Sequence, residues 1–400
     1  MYTDDSQRYR ATPAKKIIGT LVLILAIIAI MVSGVPVMSR SFVETQLQRF
    51  GAYIAQRSER ENGVTATFAY DGVGMEGGIL NLGTRAVVMN PSLAFQRGTG
   101  PGSETIGLAT DRVRLIPRND SGNNVDIEFP DPLRISDNGV HTSTVTFEGM
   151  PRYNFMQKTQ NKEVEQWHAL YLPPKFAIQP ETADGKPAEG KTRVMVSYNP
   201  NPVINARIVP ATDATTSEFH LQNLSIAGED GKTSVTAGSV DSSTHRNTEN
   251  GKIAFGVVFS LQDVGVQSKG VLEGPYHFKL DASGTHAIGT AGEPVKEADL
   301  AVREITFGSD KFSVNASGTI NTRPDDPLPF GQLDVTTKNF AALRDGPMLS
   351  PENKALLTDV ASKVTGVDAA TADELHFTIK RDKQGPLMLG NATLDDVASL

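Results

Sequence analysis

Not one cysteine occurs in the chain. That excludes disulfides, thiolate metal sites, cysteine nucleophiles and lipid attachment through a lipobox, so burial and hydrogen bonds alone must hold the fold together. Other signatures of chemistry are missing too. There is no Gly-x-Ser-x-Gly elbow and no His-Glu-x-x-His. The histidines, His141, His168, His220, His245, His277, His286 and His376, form no His-x-His or His-x-x-x-His pair; His277 and His286 could meet across a hairpin, but the reading favoured is solvated or structural histidines rather than ligands. Excess positive charge is lacking as well. The whole chain carries −8 and its first 39 residues +2, leaving −10 on the rest, which excludes nucleic acid as a partner.

Two stretches imitate nucleotide sites in their letters but lack the helix such sites need. Gly72-x-Gly74-x-x-Gly77 has dinucleotide spacing, yet "ILNLGTRAVVMN" follows it with β-branched Val87 and Val88, so its glycines read as a sharp turn or bulge between strands. Gly185-x-x-x-x-Gly190-Lys191-Thr192 satisfies the P-loop expression, but Pro187 lies inside it and "RVMVSY" after it alternates like a strand. No cofactor is expected. Asp325-Asp326 and Asp395-Asp396 read as turn and cap chemistry, since adjacent carboxylates in a turn point apart. "RNDSGNNVDIE" lacks the Gly and Glu spacing of a calcium loop. The reading is non-enzymatic, with no catalytic residues.

What the chain does have is an uncharged run, Ile17 to Met38. Its 22 residues span roughly 33 Å as a helix, enough to cross a bilayer of about 30 Å. Arg8, Arg10, Lys15 and Lys16 precede it against Asp4 and Asp5, so residues 1–16 are expected in the cytoplasm and everything after Ser39 outside it. No small-x-small cleavage site stands between Ser33 and Val37, which favours an anchor over a cleaved signal. The expected layout is a tail (1–16), a transmembrane helix (17–38), an amphipathic helix (39–62) and a β-rich body (63–400), with two sub-halves meeting near 200–215.

The helix after the membrane places Phe42, Val43, Leu47, Phe50 and Ile54 on one stripe. From Val64 onward, short runs rich in Val, Ile, Thr and Phe alternate with Gly, Asn, Asp and Pro turns, the texture of an antiparallel β protein built from hairpins. "LSIAGEDGKTSVTAGSV" (224–240) and "ITFGSDKFSVNASGTI" (305–320) echo each other as strand, Gly/Asp turn, strand. Two helices are expected besides. "KTQNKEVEQWHALYL" spaces Val164, Trp167 and Tyr171 at i, i+3, i+7. "SPENKALLTDVASKV" has Ser350 as N-cap, Pro351 at the first position and Leu356, Leu357, Val360 and Val364 as its buried face. "ELHFTIKRD", a turn at 383–385 and "PLMLG" close the chain, with Pro180–Lys191 as a loop.

In "KIAFGVVFSLQ", Ile253, Phe255, Val257, Phe259 and Leu261 share one strand face. Phe255, Val257 and Phe259, with Ile305 and Phe307, are the candidate lining of an apolar groove. Whether a ligand or a closed core covers them stays open on sequence alone.

The order of tail, membrane helix, short helix and "VTATFAYDGVGMEGGILNLGTRAVVMNPSLAF", with "GQLDVTTKNFAAL" and "LHFTIKRDKQGPLMLG" near the end, resembles a proteobacterial family of unknown function. That family, the domain-of-unknown-function 2125 type, consists of anchored periplasmic proteins distantly similar to AsmA-type envelope proteins. The resemblance implies an inner-membrane, single-pass protein with a periplasmic body of extended, curved antiparallel sheet and phospholipid as the cargo of its groove. It supplies no catalytic residues. The alternative function is an anchored scaffold binding an envelope protein partner through sheet edges or loops such as Pro180–Lys191.

Overall fold

The computed structural model describes residues 40–62, 64–76, 85–97, 103–118, 124–160, 163–200, 204–209, 214–249, 252–268, 271–287, 297–323, 326–346 and 349–398. The run Ile17–Met38, the side chain of Phe42, Gly77 and Asp325 lie outside the described residues. Among those described, no helix is long and apolar enough to cross a membrane.

The chain starts with α1 (Arg40–Asn62), then β1 (Val64–Ala69), β2 (Gly72–Glu76), β3 (Arg85–Met89), β4 (Ser92–Arg97), β5 (Glu104–Ala109), β6 (Arg112–Arg118) and β7 (Asn124–Glu128). Next come β8 (Leu133–Asp137), β9 (Val140–Phe147), β10 (Arg152–Gln160), β11 (Glu163–Tyr171), β12 (Lys175–Pro180), β13 (Val194–Ser197) and β14 (Ile204–Val209). The strands then lengthen into β15 (Ala214–Gly228), β16 (Thr233–Glu249), β17 (Lys252–Ser268), β18 (Val271–Ala287), β19 (Ala298–Gly308), β20 (Ser313–Arg323) and β21 (Asp326–Lys338). The chain closes through α2 (Phe340–Arg344), α3 (Pro351–Thr365), β22 (Glu374–Arg381), β23 (Leu387–Leu389), β24 (Ala392–Thr393) and α4 (Leu394–Ala398).

All these strands belong to one antiparallel sheet, but its first half is slit lengthwise. One leaf runs β1-β4-β5-β8-β9-β12-β13, the other β2-β3-β6-β7-β10-β11-β14. Successive hairpins alternate between leaves. Both leaves end on β15, whose first part (214–219) pairs with β14 and whose last part (225–228) pairs with β13. From there a simple meander continues through β22 to β24. A long strand of the second half thus spans the width that two short strands share in the first.

Alternation along each strand gives the leaves an apolar inner face, and the two inner faces share one core. Ala66 and Leu93 of the first leaf join Val73, Ala86, Val113, Ile127, Tyr153 and Leu170 of the second in a single buried cluster. Helix α1 seals the outer end by lying across β1 and β2. Its stripe of Val43, Leu47, Phe50 and Ile54 is almost fully buried, each side chain worth roughly 2 kcal/mol relative to exposure. Phe50 meets Phe68 edge-to-face at 5.0 Å, and the Tyr70 hydroxyl donates to the Glu44 carbonyl at 3.5 Å.

The C-terminal helix forms as expected: the Ser350 hydroxyl accepts from the Asn353 N–H at 3.2 Å, and Gly366 ends the helix at φ 74°. Val364 is buried, but Leu356 is 45% exposed, so the buried face is narrower than the spacing suggested. Three other expectations are corrected. Residues 163–171 are strand β11 and not a helix, because Glu163–Tyr171 pair in full with β10. Gly72 and Gly74 lie inside β2, paired with Met89 and Val87, rather than in a turn. His277 and His286 sit nine residues apart on the same strand, β18, about 30 Å along it, and do not meet. The echoed hairpins are β15–β16 and β19–β20.

Candidate functional site

Cross-strand register sets the geometry of the second half. From Phe219 on β15, one row of directly opposed residues runs Ser242, Phe259, Leu280, Ile305, Ala316, Val335 and Phe377. The next row runs Leu221, Val240, Leu261, Phe278, Phe307, Val314 and Thr337. Opposed residues in an antiparallel pair project from the same face, so both rows line one side of the sheet. Phe255 and Val257 lie on the same side, opposite Gly284 and Ala282. The five sequence candidates, Phe255, Val257, Phe259, Ile305 and Phe307, therefore share one face, and Phe278, Leu280, Leu300 and Leu333 extend it.

Followed the other way from Phe219, the same row enters the slit half as Ile204, Leu170, Tyr153, Ile127, Leu115 and Ala86. There Leu170, Tyr153, Ile127, Leu115 and Ala86 are all buried, because the other leaf covers them. Phe259, Leu280 and Ile305 are only half-buried, and Phe307 is 39% exposed. Rings partly shield one another on this face: Phe259 and Phe278 lie 6.0 Å apart, and Tyr276 stacks on Phe307 at 5.8 Å. Gly284 lies beneath Phe255, where an added Cβ would come within 2.3 Å of the Asp299 carbonyl oxygen.

No family model, curated protein or solved structure matches this chain. The site must be read from its own geometry.

The opposite face is polar. Lys279 donates to Glu304 at 2.6 Å, and this hydrogen bond holds the Glu304 carboxyl below its ordinary range while raising the lysine. Arg303 pairs with Asp281 at 3.2 Å, and the Thr306 hydroxyl donates to Asn315 at 2.9 Å. These pairs sit in solvent and add little stability, but they leave the two faces opposite in character.

Two side-chain groupings bring an imidazole, a carboxylate and a hydroxyl together. His141 Nε2 lies 2.5 Å from Glu181, and the Thr144 hydroxyl donates to the same carboxylate oxygen at 2.7 Å. Burial pushes Glu181 up, but the hydrogen bonds from His141 and Thr144 bring it below its ordinary value. His220 contacts Asp241, and the Ser239 hydroxyl donates to that aspartate at 2.9 Å. In both, the hydroxyl donates to the carboxylate, and the Thr144 hydroxyl also lies 3.4 Å from His141 Nε2. Among the described residues no three His, Asp or Glu side chains converge as a metal site. The Asp395-Asp396 pair is cap chemistry: Asp396 accepts from the Thr393 N–H and hydroxyl at 2.9 and 2.7 Å.

Two polar groups on the inner faces escaped the sequence reading. In the leaves, His168 contacts the Tyr153 hydroxyl through Nδ1, while its buried Nε2 has no partner; burial pulls its pKa down to about 4. In the long strands, Glu273 is 8% exposed and accepts from the Tyr276 hydroxyl at 2.7 Å. The closed half also holds an apolar cavity of about 50 Å³ lined by Phe50, Phe68, Leu93, Leu108 and Phe129.

Proposed function

We propose that this chain is a non-enzymatic envelope protein, anchored in the inner membrane by Ile17–Met38 with its body in the periplasm, that holds phospholipid on the inner face of its long strands. The observation that carries the reading is the fate of one row of residues: buried under a second leaf from Leu170 to Ala86, and only half-buried at Phe259, Leu280, Ile305, Ala316 and Phe377, with Val335 alone buried among them. An apolar face of that extent, backed by a polar one, suits an amphiphile that needs its chains out of water.

The face also has the means to curve. Asn223 and Asp263 take φ of 50° and 53° within β15 and β17, and the register shifts around Val264 add a bulge to the β17–β18 pair. Bulges of this kind bend and twist a sheet, and a curved sheet makes a trough of a flat face. Seven strand spacings from β15 to β22 give it a length of about 34 Å.

The test is to purify the full chain and extract it for lipid mass spectrometry. Phospholipid is expected at a defined ratio, and the double variant Phe259→Ser with Ile305→Ser is expected to lose most of it while keeping its fold. A wild-type chain free of phospholipid, or a variant that keeps its full load, overturns the reading. One dominant crosslinked protein on the Pro180–Lys191 loop in intact envelopes would point instead to a scaffold.

A further inference from the structure

We propose that Glu273, with the rings of Tyr276 and Phe307, is a head-group site for an ammonium-bearing amphiphile, whose amine sits on the carboxylate while its chain lies along the inner face. This rests on the reading of that face as a lipid surface and adds which lipids it selects.

Register places the carboxylate. Leu261 opposes Phe278, Val264 opposes Tyr276 and Val266 opposes Glu273, with one extra residue on β17 between the first two pairs and one on β18 between the last two. The two bulges keep Tyr276 and Glu273 on the side of Phe278 and Leu280, and the stacking of Tyr276 on Phe307 agrees. Among the described residues, Glu273 is the sole carboxylate that register puts on this face of the long strands.

Its hydrogen bonding is half complete. Oε2 accepts from the Tyr276 hydroxyl at 2.7 Å, whereas Oε1 is buried without a partner. Burial first, and then Glu273 itself, push Tyr276 up to about 12, so the phenol keeps its proton and stays a donor. An ionised Oε1 is an unpaired buried charge, and a protonated one is a donor without an acceptor; both states are penalised. A cation with its own N–H groups removes the penalty through a charge-assisted hydrogen bond. Tyr276, which bonds the carboxylate, stacks on Phe307, and Phe307 is 39% exposed, so an aromatic face next to that pair is open to the same positive charge. Among the described residues no three acidic or imidazole side chains converge here, which does not suit a metal ion. From the carboxylate the rows through Phe278 and Leu280 lead the chain away over apolar surface.

The experiment titrates the full chain in amphipol, with amphipol alone as blank, using dodecylammonium, dodecanol and ethylammonium in a calorimeter. Dodecylammonium is expected to bind at least about tenfold tighter than dodecanol, and ethylammonium far more weakly than either. Glu273→Gln is expected to bring the two dodecyl probes to equal affinity with dodecanol unchanged, while Tyr276→Phe, which keeps the carboxylate, retains the preference. Equal affinities in the wild type, a preference that survives Glu273→Gln, or ethylammonium binding as tightly as dodecylammonium overturns the head-group site and leaves the trough standing. Failure of both dodecyl probes overturns the trough as well.

Discussion

Phe155 and Phe259 are both inward-facing phenylalanines in the middle of antiparallel strands, yet Phe155 is 0% exposed and Phe259 only half-buried. The two environments differ by one architectural event. Where the sheet is slit, each leaf supplies the other's cover, and α1 closes the end. Where the strands run unbroken, burial of the inner face is patchy: Leu221 and Val240 close over leaf residues such as Val196, while Phe259, Leu280 and Ile305 stay half-buried and Phe307 is exposed. The lesson is that an amphipathic strand pattern specifies an inner face without specifying what lies inside.

Substitution at the two phenylalanines offers the sharpest way to break that contrast. Phe155→Ala should destabilise the chain by about 3–5 kcal/mol, because a large side chain leaves a cavity that rigid neighbours cannot fill. Phe259→Ala in lipid-free protein should cost about 1 kcal/mol, since water already reaches that site. Urea unfolding of both variants measures the pair, and equal losses would mean that the second half has a closed core too.

The next largest effect is acid sensitivity at the buried imidazole of the slit half. His168 titrates near 6.5 when unfolded and about 4 when folded, because burial disfavours its charged form. The unfolded chain therefore takes up the proton first. Stability is full above about pH 6.5 and falls as pH drops toward 4, by about 3 kcal/mol in all. His168→Phe should flatten that slope, with hydrogen exchange in β10 and β11 as the local readout; a slope unchanged by the substitution removes His168 as its cause.

Smaller effects sharpen the contrast from the open side. An apolar fluorescent dye should bind lipid-free protein, and Phe307→Ser should reduce its binding about twofold, whereas Phe155→Leu should leave it unaltered. Weakest of all, Ser350→Ala should remove about 1 kcal/mol through the lost N-cap, as a shift in the thermal midpoint. Dye binding indifferent to Phe307 would place the exposed apolar surface elsewhere.

Much of the strand content was legible because period-two alternation is strong where one face is apolar, as in Ile253 to Leu261. The hairpin β10–β11 was not. On β11 the inward positions include Gln166 and His168 while Trp167 and Tyr171 point outward, held beside Arg207 and Arg152, so the alternation is inverted in polarity and a helical spacing stood out instead. The slit was invisible for a different reason: nothing in a short strand states whether its next neighbour along the chain is also its neighbour in the sheet. At the site, the shared face of Phe255, Val257 and Phe259 came from alternation, but aligning Ile305 and Phe307 with them required the register of β18. Glu273 was hidden by the bulges around Asp263 and Gly274, which shift the odd-even count on both strands.

The alternation of hairpins between leaves also dictates an order of assembly. A ribosome delivers β2–β3 to one side, β4–β5 to the other, and so on up to β15, so neither side can be completed ahead of its counterpart. Each hairpin thus meets its in-leaf neighbour only across a hairpin of the other leaf, like the teeth of a zip fastener. Exchanging whole leaves between related chains would therefore cut the polypeptide at every crossing, whereas the meander beyond β15 can be replaced by a single join.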